Sequence, residues 1–455
     1  MSAKTLNEKD IDPNAMQIVK ILQGRGFTTY LVGGCVRDLL LSKKPKDFDI
    51  VTDALPKDVR KLVPNSFIIG KRFRLVLVKR GEIQYEVSTF RRDPLPGELI
   101  LNPEQPHKKI EPPTIDNIFG TPQEDARRRD FTINSLFYDP IKKKLIDFEN
   151  ALPDLEAGVV KIIGEPDVRL IEDPIRIMRG IRLAHMIRFS LDPALRSSIQ
   201  KNASSLATTA LPRRREEFLK YLRLDNPALP FLTSLDLGVL DVIAPTISET
   251  LQNTAKVENF LNCLFSFKDK KLETPVELFA GLVMSIYISR HQGQLPSETR
   301  THEFLDNPDF KKLMHDELGM FKHEQTLVAK ALHMMSLLSK RKEFEKRGEK
   351  KRSSLVASEA FPLALKLSEH EHWLSAKDLH FWKNELKSFH EAGGVTESTS
   401  RLSQRNRNRN RNRNRNRNRA QGDGRNNSLG AETSSHRDES AHTHEAPNSK
   451  AKVDN

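Results

Sequence analysis

The chain has 455 residues, enough for two or three domains and a substantial core. Its formal net charge of +13 and pI of about 9.5 point to a polyanionic partner and say nothing about fold. Two cysteines, Cys35 and Cys263, exclude a disulfide framework and a zinc cluster and fit a reducing cytosol. The N-terminus, MSAKTLNEKDIDPNAM, has no signal-peptide core, and the longest largely apolar stretch, 276–288, is too short to span a bilayer. The expectation is a cytoplasmic protein with no membrane span.

Residues 14–25 place Ala15, Ile18, Val19 and Leu22 at i, i+3, i+4 and i+7, which predicts a helix. Tyr30-Leu31-Val32 reads as a short strand, followed at once by Gly33-Gly34 and by a helical pattern through Val36, Leu39 and Leu40. Asp47-Phe48-Asp49 then enters a second strand, 48–51, in which alternation points Asp47 and Asp49 the same way. Two carboxylates side by side repel each other unless a divalent cation sits between them. A paired glycine at a strand-to-helix turn lets backbone N–H groups approach a phosphate. Alone, the first motif is usually a turn and the second a solvated strand end. In the order strand, Gly-Gly, helix, Asp-x-Asp, strand, they form the apparatus of nucleotidyl transfer.

Pro56 starts a further helix through Val59, Leu62 and Val63. Strands follow at 66–69, 75–78 and 83–89. In the last, Ile83, Tyr85 and Val87 face one way and Gln84, Glu86 and Ser88 the other. This predicts a small mixed domain around one sheet. Residues 91–115 are rich in proline and charge without periodicity, which predicts a long mobile surface loop. Arg127-Arg128-Arg129-Asp130-Phe131-Thr132-Ile133-Asn134 comes next. The apolar continuation buries the chain directly after Asp130 and fixes its carboxylate. Strand, short helix and strand follow over 145–165, and beyond Pro166 the pattern is helical.

Asp173, Arg176 and Arg179 stand at i, i+3 and i+6, so Asp173 and Arg176 read as neighbours on one helix face. An ordinary surface ion pair has the same spacing. Residues 211–224 form a helix opened by Arg213-Arg214-Arg215, either a solvated face or a track for RNA phosphates. Amphipathic or apolar helical patterns recur at 257–265, 276–288, 326–338 and 360–367. Order is expected to fail from Glu391. Residues 405–419 alternate Arg and Asn, including Arg405, Arg407, Arg409 and Arg411, and cannot bury apolar surface. Residues 401–455 hold 13 Lys/Arg and 6 Asp/Glu, so +7 of the net +13 lies there. Such a run is either a passive solubilising tail or, the favoured reading, a nonspecific attractor of RNA through counterion release.

The stretch YLVGGCVRDLLLSKKPKDFDIVT and the segment EDARRRDFTIN together resemble the class II nucleotidyltransferases, the bacterial poly(A) polymerases and CCA-adding tRNA nucleotidyltransferases of the polymerase-β-like superfamily. The resemblance covers residues 14–245 and the later helices only by type. It implies an α+β chain with a small N-terminal mixed-sheet nucleotidyltransferase (palm) domain, an all-α neck and body, and a disordered basic C-terminal tail. The implied boundaries are a flexible 1–13, a catalytic domain at 14–165, a neck at 166–245, a body at 246–390 and a tail at 391–455. It further implies Asp47, Asp49 and Asp130 as catalytic carboxylates holding two Mg2+ ions, with Mn2+ able to replace them. Glu86 is the rival third carboxylate and reads as a surface strand residue. Gly33, Gly34, Arg37 and Arg129 are matched to the triphosphate, Asn134 to the ribose side, Asp173 and Arg176 to the incoming base, and Arg179 to the phosphates. Arg213, Arg214 and Arg215 are candidate RNA contacts.

The stretch 68–78 resembles the poly(A) polymerase signature of two aliphatics, Gly, two basics, Phe and a further basic residue. Leu77 stands where family members commonly carry His. With the basic tail, this favours a template-independent poly(A) polymerase acting on ATP and RNA 3′ ends. A CCA-adding enzyme is the alternative, and a noncatalytic RNA-binding protein on the same scaffold is the third reading. A monomer is expected, with RNA-degradation or RNA-chaperone proteins as candidate partners.

Overall fold

Helix α1 (Pro13–Gln23) starts where Asp12 caps it, its Oδ1 accepting from the amides of Asn14 and Ala15, with proline at the first turn. Its apolar stripe of Ala15, Ile18, Val19 and Leu22 is buried, as the spacing predicts. Strand β1 (Thr29–Val32) leads into α2 (Gly34–Leu40), then β2 (Asp49–Thr52), α3 (Pro56–Leu62), β3 (Ser66–Ile69), β4 (Leu75–Arg80) and β5 (Ile83–Thr89). After α4 (Pro122–Arg127) come β6 (Phe137–Asp139), β7 (Lys144–Ile146), α5 (Ala151–Ala157) and β8 (Val159–Val160). The computed structural model describes residues 6, 8–70, 74–93, 118–269, 272–291, 300–346, 349–370 and 373–394. Lys71–Phe73 of the signature stretch, most of the 91–115 loop, and the tail with Arg405, Arg407, Arg409 and Arg411 lie outside the described residues.

Among the described residues β1 to β7 form one sheet in the order β3-β4-β5-β2-β1-β6-β7. The β2–β5 pair is parallel and the others are antiparallel. One face packs Ile50, Val76, Val78, Tyr85 and Val87 into the main core that also takes in α1 and α3. On the other face Val32, Val51, Phe90, Ala126 and Phe137 form a second, smaller cluster, with Tyr30 and Ile146 against it. This second cluster covers only the β1, β2 and β6 side of that face.

The remainder is helical apart from β9 (Ser190–Leu191), a two-residue strand parallel to β8. Helices α6 (Pro166–Glu172) and α7 (Ile175–Ile187) are separate, because Pro174 cannot continue α6 and displaces the residue before it from helical backbone. Helices α8 (Pro193–Asn202) and α9 (Leu211–Leu222) follow. Farther on, the helix Pro275–Arg290 is buried on all sides from Leu278 to Ser289, as its apolar composition predicts. No helix among the described residues is long and apolar enough to cross a membrane. The fold is the α+β arrangement expected, a mixed sheet followed by helices.

Candidate active site

The site is built where β1 ends. Gly33 caps α2 with φ +79° and ψ −131°, a backbone conformation that L side chains rarely adopt. Its amide donates to the Leu136 carbonyl at 3.2 Å and so pins the turn. A Cβ at Gly33 would lie 3.3 Å from Arg129 Nη1 and 3.8 Å from Asp49 Oδ2. Glycine here keeps open the space between a cation and a carboxylate. Gly33, Gly34, Asp49, Arg129, Asp130, Asn134 and Arg179 line a cavity of about 250 Å³. A second cavity of about 460 Å³ also holds Asp49, Arg129 and Arg179, together with Glu86, Ser88, Arg91 and Arg128.

Asp49 is the first residue of β2, and register sets it opposite Val32 on β1 and Glu86 on β5. Burial by the surrounding protein, then the charge of Glu86, pushes the Asp49 carboxyl up to about 6. Asp47 adds to the shift and Arg129 opposes it. Asp47 itself lies ahead of the strand and is exposed, so its position is set by the entry loop and not by the pleat. Glu86 is therefore no ordinary surface residue: it shares a face, a register row and a cavity with Asp49.

Asp130 is placed differently from the expectation. Its Oδ1 accepts from Arg176 Nε at 2.9 Å, and its Oδ2 lies 2.8 Å from Arg179 Nη1. Two guanidiniums already neutralise it, so it is a poor third carboxylate for a cation. Among the described residues Asp49 and Glu86, with Asp47 nearby, have no such ion pair. Among the described residues no three His, Cys, Asp or Glu side chains converge closely enough to hold an ion by themselves. Mg2+ needs no such cage; it takes one or two carboxylates and completes its shell with water and substrate phosphate. An all-oxygen donor set with a carboxyl raised to about 6 by burial and by the neighbouring Glu86 charge fits Mg2+ or Mn2+.

The arginines divide by what already engages them. Arg129 donates through Nε and Nη2 to Asp125 at 3.1 and 2.9 Å and lies 5.4 Å from the Phe137 ring centroid, which leaves Nη1 beside Gly33 and the Asn134 carbonyl. Arg179 is half-exposed and lines both cavities. Arg37, matched above to the triphosphate, is buried. It donates to Asp38 at 2.9 and 2.7 Å and to Asn134 Oδ1, which makes it a strut between α2 and the turn Thr132–Asn134.

Asp173 and Arg176 do not share a helix face. Asp173 caps the end of α6, and Arg213 in the first turn of α9 grips it with two bonds of 2.7 and 2.9 Å. Arg176 is buried in α7, where Nη1 donates to Glu172 and to the Arg169 carbonyl, both at 2.8 Å, while Nε holds Asp130. The three arginines opening α9 also part company, since consecutive helical residues point about 100° apart. Arg215 is buried in a two-bond pair with Glu324 at 3.0 and 2.8 Å, its guanidinium 4.9 and 4.8 Å from the Phe279 and Phe321 rings. That removes it from any RNA-facing surface. Arg214 is half-buried near Glu317, and burial pulls its guanidinium below the usual arginine range.

Comparison with known proteins bears on this arrangement. Residues 29–161 match the model of the poly A polymerase head domain, and residues 188–251 match the model described as "Probable RNA and SrmB- binding site of polymerase A". The poly(A) polymerase I of Salmonella typhi is 36% identical over 284 residues, which is 61% of this chain and 61% of that protein. Over these stretches the chain is similar to the poly(A) polymerases. A CCA-adding enzyme of Lactobacillus helveticus is 34% identical over 211 residues, 46% of this chain and 50% of that enzyme. The fold is shared with a crystal structure of the Bacillus stearothermophilus CCA-adding enzyme in complex with CTP, at 22% identity and TM-score 0.51, covering 88% of this chain and 100% of that one. The chain thus spans about 61% of the length of the curated poly(A) polymerases.

Two residues have neighbours that the sequence did not reveal. Glu86 carried a signal, since it alternates to the side opposite Ile83, Tyr85 and Val87. What put it beside Asp49 is parallel pairing between strands more than thirty positions apart. Arg213 carried only its place in a basic run. Its contact with Asp173 depends on the packing of α9 against the α6–α7 corner.

Proposed function

We propose that this chain is a polynucleotide adenylyltransferase that adds AMP from ATP to RNA 3′ ends without a template, in RNA polyadenylation and turnover. The observation that supports it best is the register pair of Asp49 and Glu86 lining a cavity that Arg129 and Arg179 also line. Carboxylates for cations and guanidiniums for phosphates, within one cavity, suit a triphosphate and little else.

Asp47, Asp49 and Glu86 would hold two Mg2+ ions, which when bound neutralise the triphosphate and make the RNA 3′-hydroxyl a better nucleophile. Arg129, braced by Asp125, presents Nη1 to the triphosphate at the opening left by Gly33. Arg179 meets the phosphates from α7 and exchanges Asp130 for them as they enter. Arg37 and Asn134 keep the Gly33–Gly34 turn in register with Asp49. Asp173, held in plane by Arg213, accepts from the exocyclic amine of adenine, while Arg176 secures Asp130 and the α6–α7 corner. The 3′-hydroxyl then attacks the α-phosphate in line, AMP joins the RNA and pyrophosphate leaves.

The second reading is a CCA-adding enzyme, favoured by the relatives and fold neighbours of that name. The longer match to poly(A) polymerases and the 68–78 stretch support the first. Incubating the purified chain with an unstructured RNA, Mg2+ and each nucleotide singly tests the choice. ATP alone should give long adenylate runs. Efficient CTP incorporation into a tRNA lacking its terminal CCA, without poly(A), would establish the second reading. No incorporation of any nucleotide would leave a noncatalytic RNA-binding scaffold.

A further inference from the structure

The sheet face that carries Asp49 and Glu86 continues past them. Pairing runs from Asp49 to Glu86, from Glu86 to Leu77 on β4, and from Leu77 to Phe67 on β3. Directly paired residues share a face of the sheet, so the four side chains form one row that ends at the outer strand. On the β1, β2 and β6 side this face is closed by the Val32, Val51, Phe90 and Phe137 cluster. On the β3–β4 side no such cluster closes it among the described residues. Phe67 is 53% exposed and Ile69 40%, with Leu75 and Leu77 half-buried between them and the carboxylates. Lys79, exposed and on the same face, places its Nζ 6.0 Å from the centroid of the Phe67 ring.

Building on the adenylyltransferase reading, we infer that this open face is a stacking platform for the bases just upstream of the RNA 3′ end. Phe67 is the stacking ring and Lys79 the contact to the adjoining phosphate. The spacing supports it. Two strand separations put Phe67 roughly 10 Å from Glu86, so a chain with its 3′-hydroxyl at Asp49 passes over β4 to β3 within a few nucleotides. The chemistry is that of single-strand recognition: an exposed aromatic offers its face to any base, and a neighbouring cation follows the backbone. A sheet face presenting aromatics to unpaired bases is a recurrent mode of RNA binding. Nothing in the row reads a base edge, so the platform would hold growing adenylate and foreign sequence alike.

The experiment uses the full chain with Mg2+, ATP and a short single-stranded RNA. Phe67→Ala should raise the KM for RNA about tenfold, the scale of one lost aromatic–base stack, and leave the KM for ATP and the rate at saturating RNA unchanged. Phe67→Trp should keep the wild-type KM, and its emission, read against the wild-type background, should be quenched by RNA without ATP. Lys79→Ala should lower the salt slope of RNA binding by about 0.7. Unchanged RNA KM in Phe67→Ala together with an unquenched Phe67→Trp would overturn the platform. If sedimentation instead shows that Phe67→Ala dissociates a dimer while RNA KM stays constant, the face joins two copies and the inference also fails. Asp49→Ala separates the two readings. An active Asp49→Ala would remove the adenylyltransferase reading itself, whereas an inactive one beside a normal Phe67→Ala removes the platform alone.

Discussion

Two clusters of charge sit within one small region and are built on opposite principles. Around Asp130 every carboxylate has its guanidinium: Arg176 and Arg179 hold Asp130, and Arg169 and Arg176 hold Glu172. Around Asp49 the carboxylates face one another, and among the described residues Arg129 is the cation that counts against the crowding of Asp49. The compensated cluster joins the sheet domain to α6 and α7 and is finished as it stands. The uncompensated one is unfavourable until positive charge arrives, which is the property a cation site requires. Proximity to an acidic motif is therefore a weaker guide to a metal ligand than the absence of a partner.

The largest expected effect breaks the comparison at the uncompensated end. Asp49→Ala or Glu86→Ala should cut nucleotide addition by roughly a thousandfold or more, since each removes a carboxylate from the charge-neutralising site. The melting temperature should hold or rise slightly as repulsion is relieved. Near-normal turnover in Glu86→Ala would return Glu86 to the sheet surface and remove it from the chemistry.

Next comes a change that tests compensation as structure. Arg215→Ala leaves Glu324 buried without its partner and should cost about 3–5 kcal/mol of stability. Thermal unfolding measures it. RNA affinity measured well below the melting temperature should be unchanged, and a loss of affinity with no loss of stability would put Arg215 back among the RNA contacts.

Asp130→Ala sharpens the contrast. It should destabilise the sheet–helix junction by about 1–3 kcal/mol, because Arg176 stays buried with one fewer acceptor. The Mg2+ concentration giving half-maximal activity should stay at the wild-type value, while Glu86→Ala should raise it. If Asp130→Ala shifts the Mg2+ requirement as far as Glu86→Ala does, Asp130 belongs with the metals after all.

How legible this was in the sequence follows from the range of each interaction. Helix α1, the Gly33–Gly34 turn and the alternation of β5 are set by neighbours within a few residues, and their periods are visible in the chain. The Asp49–Glu86 pair depends on which strand lies beside β2, and no local period carries that. Asp173 and Arg176 had helical spacing, but Pro174 between them removes the helix, and proline at that place was the signal to heed. For Arg213 to Arg215, the rotation of about 100° per residue already forbids one shared surface. Which of them is buried depended on Glu324 and the two phenylalanines beyond it.

The smallest expected effect concerns pH and isolates Asp49. Its carboxyl is held near 6 in the folded protein, above the ordinary aspartate value of 3.8. Between about pH 4 and 6 the metal-free folded state therefore binds a proton that the unfolded chain has released. Stability from this group falls as pH rises through that window and is flat above it. The carboxylate is hemmed in by protein yet keeps contact with solvent, which screens it, so the change in Tm should be on the order of 1–2 °C. Mg2+ removes the fall, because the ion competes with the proton and binds the ionised form. With saturating Mg2+ the stability from this group should be flat across the window, so the stabilisation that Mg2+ adds grows as pH rises towards 6 and levels off above it. Thermal melts from pH 4 to 7, with and without Mg2+, compared between wild type and Asp49→Asn, extract the term by difference. In the variant both the falling limb and its flattening by Mg2+ should vanish. Superimposable difference curves for the two proteins would mean that Asp49 is already compensated, and the contrast with Asp130 would collapse.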